Sequence, residues 1–214
     1  VHLTDIHFNT GGDVPQRFQS ALRHIRATHP EASLYLLTGD NVDGKADRNV
    51  MAGTYAAWKS ITGAELEGVP LRVALGNHDY DFVPADPEAP YGKAAILNQF
   101  GMPARYYGFD LHGWHFIVLD GTAFGCDKVQ QEWLDKELGS VDARTPIAIL
   151  SHQPVFSMGT IVYYPNDLIA GWKGLINKFI KYPNVKLCRS KVLSPIRSPV
   201  GKANSHEGMH RTSG

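Results

Sequence analysis

The chain has little cysteine, no long apolar run and no excess of charge of either sign, and each shortage removes a class of function. Its 214 residues include only two cysteines, Cys126 and Cys188, far apart and outside any C-x-x-C spacing. That argues against a disulfide framework and against a thiolate zinc site, and it is compatible with a reducing, cytoplasmic location. No run approaches the roughly 18 to 20 apolar residues that span a bilayer, so no membrane partner is expected. Lysine plus arginine equals aspartate plus glutamate, at 21 each. Nucleic acid is therefore not expected as the main partner, and any charged ligand must be handled locally. A G-x-S-x-G nucleophile elbow and a P-loop are also missing, as are internal repeats. The first residue is Val1 rather than methionine, which fits a chain whose upstream residues have been lost.

What is present is enough apolar material, 43% of residues, for one sizeable core. Short β-branched or aliphatic runs alternate with longer amphipathic stretches, the pattern of strands buried between helices, so the class is α/β. The expected strands are Val1 to Thr4, Ser33 to Leu37, Leu71 to Leu75, Trp114 to Leu119, Pro146 to Leu150 and Asn184 to Cys188. Helical spacing marks Gln16 to Thr28, Met51 to Ile61, Lys128 to Leu138 and Leu168 to Tyr182. In the third of these, Val129, Trp133, Leu134 and Leu138 form the expected core stripe. Asp79 to Pro103 is rich in proline, glycine and aromatics, and reads as an excursion over the strand ends, a candidate substrate lid. Alternating elements alone permit either one doubly wound sheet or two stacked sheets.

Four of the strands end in metal-type ligands. Asp5-Ile6-His7 follows the first, Gly39-Asp40-Asn41 the second, Gly76-Asn77-His78-Asp79 the third, and Ser151-His152 a later one. Ligands of open α/β sheets collect beyond the carboxyl ends of the strands, where such residues converge. Asp, His and Asn supply hard oxygen and borderline imidazole donors that suit Mn, Fe or Zn. On an extended segment, positions i and i+2 point the same way, so Asp5 and His7 are expected to reach one metal together. Gly39 and Gly76 let the backbone turn sharply into the crevice. Asp43 reads either as a support to the site or as a helix cap. His24, His29, His112 and His115 lie away from these turns and are set aside.

The order D-x-H, G-D, G-N-H-D and then H, each at a strand end, resembles the calcineurin-like metallophosphoesterases over residues 1–188. The G-N-H-D form, with Tyr106-Tyr107-Gly108-Phe109 and His115 to Asp120, is similar to the bacterial branch that includes class III cyclic-nucleotide phosphodiesterases. The resemblance implies two stacked mixed sheets flanked by helices, the αββα sandwich. It implies two divalent or trivalent ions, with Asp5 and His7 on the first, Asp40 bridging, and Asn77 and His152 on the second. It further implies that a metal-bridging hydroxide attacks a small phosphoester, a phosphodiester such as a cyclic nucleotide. His78 is the implied catalytic residue at the leaving oxygen, with Asp79 orienting its imidazole.

The family pattern closes with G-H-x-H after a strand like Asn184 to Cys188, and here the resemblance stops. Lys191, Val192 and Ser194 stand in those places. One imidazole is then missing from each metal, which implies weaker binding and reduced activity, or a silent relative that binds without turnover. His206 and His210 form an H-x3-H pair, but Gly208 between them opposes the helix that would align it. Residues 189–214 read as an atypical, basic, disordered tail, and the fold as incomplete at this end. A frameshift or truncation fits the abrupt change.

Overall fold

The computed structural model describes residues 1–44, 48–79, 93–121, 126–155 and 172–190. In chain order the elements are β1 (His2–Leu3), α1 (Val14–Thr28), β2 (Tyr35–Thr38), α2 (Arg48–Glu65), β3 (Leu71–Ala74), α3 (Lys93–Phe100), β4 (Tyr107–Leu111), β5 (Trp114–Val118), α4 (Lys128–Ser140), β6 (Ile147–Leu150), α5 (Trp172–Ile180) and β7 (Val185–Arg189). They form two sheets, one ordered β1-β2-β3 and one ordered β4-β5-β6-β7. The smaller sheet is parallel throughout, and the larger carries β4 antiparallel on an otherwise parallel set. Of the two arrangements left open by the sequence, the structure has the stacked pair.

Side-chain alternation explains the stacking. On β5 and β6, Val118 and Leu150 join a core that includes Leu37 and Val73 of the smaller sheet. Their neighbours Ile117, Ile147 and Ile149 point the other way, into a second core with Leu134 of α4 and with Leu175 and Phe179 of α5. Strands buried on both faces read as apolar runs, unbroken in β6 and interrupted in β5 by His115 alone. On the outer face of the smaller sheet, α1 contributes Phe18 and Leu22, and α2 contributes Tyr55 and Trp58. Tyr107 closes one side of the sandwich. Its hydroxyl donates to Val73 O at 2.9 Å and accepts from Val73 N at 3.2 Å, which ties β4 to the edge of the other sheet.

Several sequence expectations are corrected. β4 was not expected, because Gly108 and Asp110 interrupt its apolar run. It is fixed by a tight hairpin in which His112 and Gly113 both have positive φ, 50° and 78°, and Leu111 faces Trp114. On α4, Val129 is 63% exposed, and the buried place falls to Gln130, whose Oε1 accepts from Asp120 N at 2.8 Å. Part of the expected lid is core. Residues 93–100 form α3, with Ile96 and Phe100 buried and the Phe100 ring edge-on to Tyr55 and Trp58. Residues 80–92 of that excursion, 168–171 of the fourth predicted helix, and the segment holding Lys191, Val192, Ser194, His206 and His210 lie outside the described residues.

Candidate metal centre

The carboxyl ends of β1, β2, β3 and β6 converge, and their connecting turns bond to one another. Asp5 N donates to Gly39 O at 3.1 Å, His7 N to Asp40 O at 2.8 Å and Phe8 N to Asn41 O at 3.1 Å. Asp5 and His7 therefore do not lie on an extended segment, as the i, i+2 expectation required. Both occupy the left-handed region, with φ of 52° and 47°, as does Asp40 at 50°. This conformation costs roughly 1–3 kcal/mol per residue for non-glycine side chains, and it gathers at sites where the surrounding structure holds it in place. Asp5, His7 and Asp40 still bring ligand atoms within 4.8 Å of one another.

Asp40 is the hub. It is 3% exposed; Oδ1 accepts the backbone N–H of His78 at 2.8 Å, while Oδ2 lies 3.2 Å from His152 Nε2 and 3.6 Å from His7 Nε2. His152 is fully buried, and its Nδ1 is 3.0 Å from Thr38 O. A carbonyl only accepts, so Nδ1 carries a proton; Nε2 is the nitrogen on the Asp40 side and has no hydrogen-bond partner. Burial alone would lower the His152 pKa, yet the adjacent Asp40 carboxylate holds it above the ordinary histidine value. Burial likewise works to raise the Asp40 pKa, and His152 keeps it below the usual carboxylate range.

Close packing leaves no space for side chains on the two turn glycines. A Cβ on Gly39, whose φ is +95°, would lie 2.5 Å from His152 Nδ1, and one on Gly76 would overlap Asp40 N and Oδ1. Asn77 lies in the turn between Gly76 and His78, and the His78 backbone N–H is the donor to Asp40 Oδ1. The half-exposed His78 ring packs edge-on to His7, with centroids 4.7 Å apart.

Asp79 has a different place from the one expected. Its carboxylate is fully buried and accepts from Asn41 N at 2.6 Å, Val42 N at 3.0 Å, Gly76 N at 2.8 Å and Asn41 Nδ2 at 2.9 Å. It stitches the turn after β2 to the turn after β3. Burial pushes its carboxyl up to about 7, against N–H donors that favour the ionised form. The carboxylate beside the His78 imidazole is that of Asp43, whose Oδ1 is 3.6 Å from His78 Nδ1. Residues 45–47, between Asp43 and the first described turn of α2, lie outside the described residues, so the expected cap is not described. Asn41 was also missed as a site residue. Only the burial of its side chain, which no local pattern announces, shows that it carries Asp79.

Of the histidines set aside, His115 is buried in the larger sheet, with Nδ1 2.7 Å from Asp110 Oδ1 and Nε2 3.1 Å from Glu137 Oε1. His29 is on the surface beside Glu31.

The fold and this site define a class of protein: a two-sheet α/β domain whose strand-end turns bring hard-oxygen and imidazole donors together at one buried carboxylate. The bare, buried His152 Nε2 next to Asp40 Oδ2 is the arrangement that a cation would satisfy, so the residues present fit a metal. The model of the calcineurin-like phosphoesterase family matches residues 1–190, and the chain belongs to that family. It is 24% identical over 201 residues to a 3',5'-cyclic-nucleotide phosphodiesterase of Nostoc sp., covering 87% of this chain and 68% of that one. To purple acid phosphatase 22 of Arabidopsis thaliana it is 23% identical over 165 residues, covering 65% of this chain and 38% of the relative. The chain thus spans well under half the length of the plant protein. A dimetal phosphatase from Danio rerio shares the fold at a TM-score of 0.62 and 15% identity, covering 87% of this chain and 78% of that one. Among the described residues, no helix is long and apolar enough to cross a membrane.

Proposed function

We propose that the chain hydrolyses a small phosphodiester at a two-metal centre held by Asp5, His7, Asp40, Asn77 and His152. The observation that carries this reading is His152, locked by Thr38 O with its free nitrogen 3.2 Å from Asp40 Oδ2. Bound ions would supply Lewis acidity toward the phosphoryl oxygens and an activated water. The protein's own part is to hold the ligands fixed. Asp40 is oriented by the His78 N–H, and the Asp79 stitch keeps both turns in register. His78 faces the substrate. With Asp43 on its Nδ1 side, Nε2 is the atom left to give a proton to the leaving oxygen.

A diester is favoured over a monoester by the G-N-H-D turn and by the match to a protein named for cyclic-nucleotide phosphodiester hydrolysis. The five-ligand set is two imidazoles short of the family pattern, so the ions are held more weakly and activity should require added metal. The test compares bis(4-nitrophenyl) phosphate with 4-nitrophenyl phosphate, with and without excess Mn. Mn-dependent diester cleavage that disappears in Asp40→Ala is the expected result. Metal-independent cleavage, or a preference for the monoester, would overturn the reading in its first or second part.

A further inference from the structure

We propose that a cavity between the edge strands of the two sheets, β3 and β4, is an accessory site for a small carboxylate with a flat apolar body, held by Arg72 and separate from the metal centre. Among the described residues β3 ends the smaller sheet and β4 ends the larger, so strand pairing does not close the sandwich on this side. The Tyr107 hydroxyl bridges the two strands at Val73, and beside that bridge lies a cavity of about 360 Å³. Arg72, Phe100, Met102, Tyr107 and Phe109 are among the residues that line it. Apolar and aromatic walls with one charged group, at this volume, are the ordinary make-up of a small-molecule site.

Arg72 sets the chemistry. Its neighbours Leu71 and Val73 alternate to the opposite face of β3, while its guanidinium carbon lies 5.1 Å from the centroid of the Phe109 ring on the larger sheet. Phe109 is itself stacked on Phe116, with centroids 4.8 Å apart and planes within 7°. The ring attracts the cation without consuming an N–H donor. Of the five donors, one on Nη1 bonds to Leu71 O at 3.0 Å; among the described residues the guanidinium makes no other hydrogen bond and has no carboxylate partner. Arg17, Arg23, Arg105 and Arg144, by contrast, each pair with an aspartate or glutamate. A ligand carboxylate matches the open fork with two parallel N–H···O bonds, and Phe109, Met102 and Tyr107 offer contact to a flat body. The metal-type ligands follow the strand ends and none of them lines this cavity, so its occupant is distinct from the phosphoester.

The experiment titrates the full chain with benzoate by isothermal calorimetry, with benzamide as the uncharged body and acetate as the charge without the body. Benzoate should bind at one saturable site, at least about tenfold more tightly than either control. Arg72→Gln should weaken it by at least about tenfold, and Arg72→Lys, which keeps the charge but not the fork, by less. Asp40→Ala, at the metal centre, should leave it within about twofold. Melting curves establish that each variant is folded, and Arg72→Lys serves alone if Arg72→Gln is not. Undiminished benzoate affinity in a folded Arg72 variant overturns the proposal, as does failure to saturate at about 10 mM benzoate. Binding that disappears in folded Asp40→Ala places the ligand at the metal centre instead, and acetate binding as tight as benzoate removes the role of the apolar walls; either result overturns it too.

Discussion

Replacing Asp79 by alanine is expected to be among the most damaging single changes in the protein, although this side chain makes no contact with substrate in the proposed reaction. Its carboxylate is the acceptor for three backbone N–H groups, those of Asn41, Val42 and Gly76, and for the Asn41 side-chain amide. All four donors are buried. Each buried donor left without a partner costs roughly 1–3 kcal/mol, whatever the protonation state of the aspartate it loses. Water entering the vacated space can satisfy one or two of them, so the net loss is about 4–5 kcal/mol. Single changes rarely cost so much, and a domain of this kind has only about 5–15 kcal/mol in total. At about 2–4 °C per kcal/mol for this chain length, the melting temperature should fall by roughly 8–20 °C. Urea unfolding followed by tryptophan fluorescence measures the difference, since Trp58 is buried. A midpoint shift equivalent to less than about 1 kcal/mol would show that the two turns do not depend on this carboxylate.

Other changes test other links. Gly39→Ala should cost most of the metal affinity, because the new methyl group meets His152 Nδ1 at 2.5 Å in a backbone of φ +95°; metal titration measures it. Tyr107→Phe leaves Val73 N without its acceptor and should cost about 2 kcal/mol in the same urea assay, with little change in metal binding. Burial pushes the Cys126 thiol up to about 12 and the Cys188 thiol up to about 11. Because the thiolate is the nucleophile, alkylation of the native protein at pH 8 should be slow and should keep rising with pH beyond the ordinary thiol range near 9, whereas the urea-unfolded chain levels off there.

The elements easiest to read in the sequence were those whose apolar pattern had one explanation. β5 and β6 are buried on both faces, so Trp114 to Leu119 and Pro146 to Leu150 read as strands whatever lay around them. β4 is an edge strand with Gly108 and Asp110 in it, and pairing with β5 rather than its own pattern makes it a strand. α3 has eight residues next to a proline- and glycine-rich run, and packing of Phe100 on α2 holds it. The ligand positions were legible because Asp5, His7, Asp40, Asn77 and His152 each follow a strand. Their conformation was not, since nothing local signals three non-glycine residues at positive φ. The exchange of places between Asp79 and Asp43 escaped for a related reason. Adjacency to His78 in sequence suggested a contact, while the turn directs the Asp79 carboxylate into the core and brings Asp43 to the ring from 35 positions upstream.

The central claim is that Asp40 holds catalytic metal, and metal analysis of the Mn-loaded chain beside Asp40→Ala, paired with diester hydrolysis on the same samples, addresses it most directly. The wild type should retain Mn and cleave bis(4-nitrophenyl) phosphate in proportion to it, while the folded variant should lose both. Retention of Mn and undiminished cleavage in Asp40→Ala would contradict the assignment.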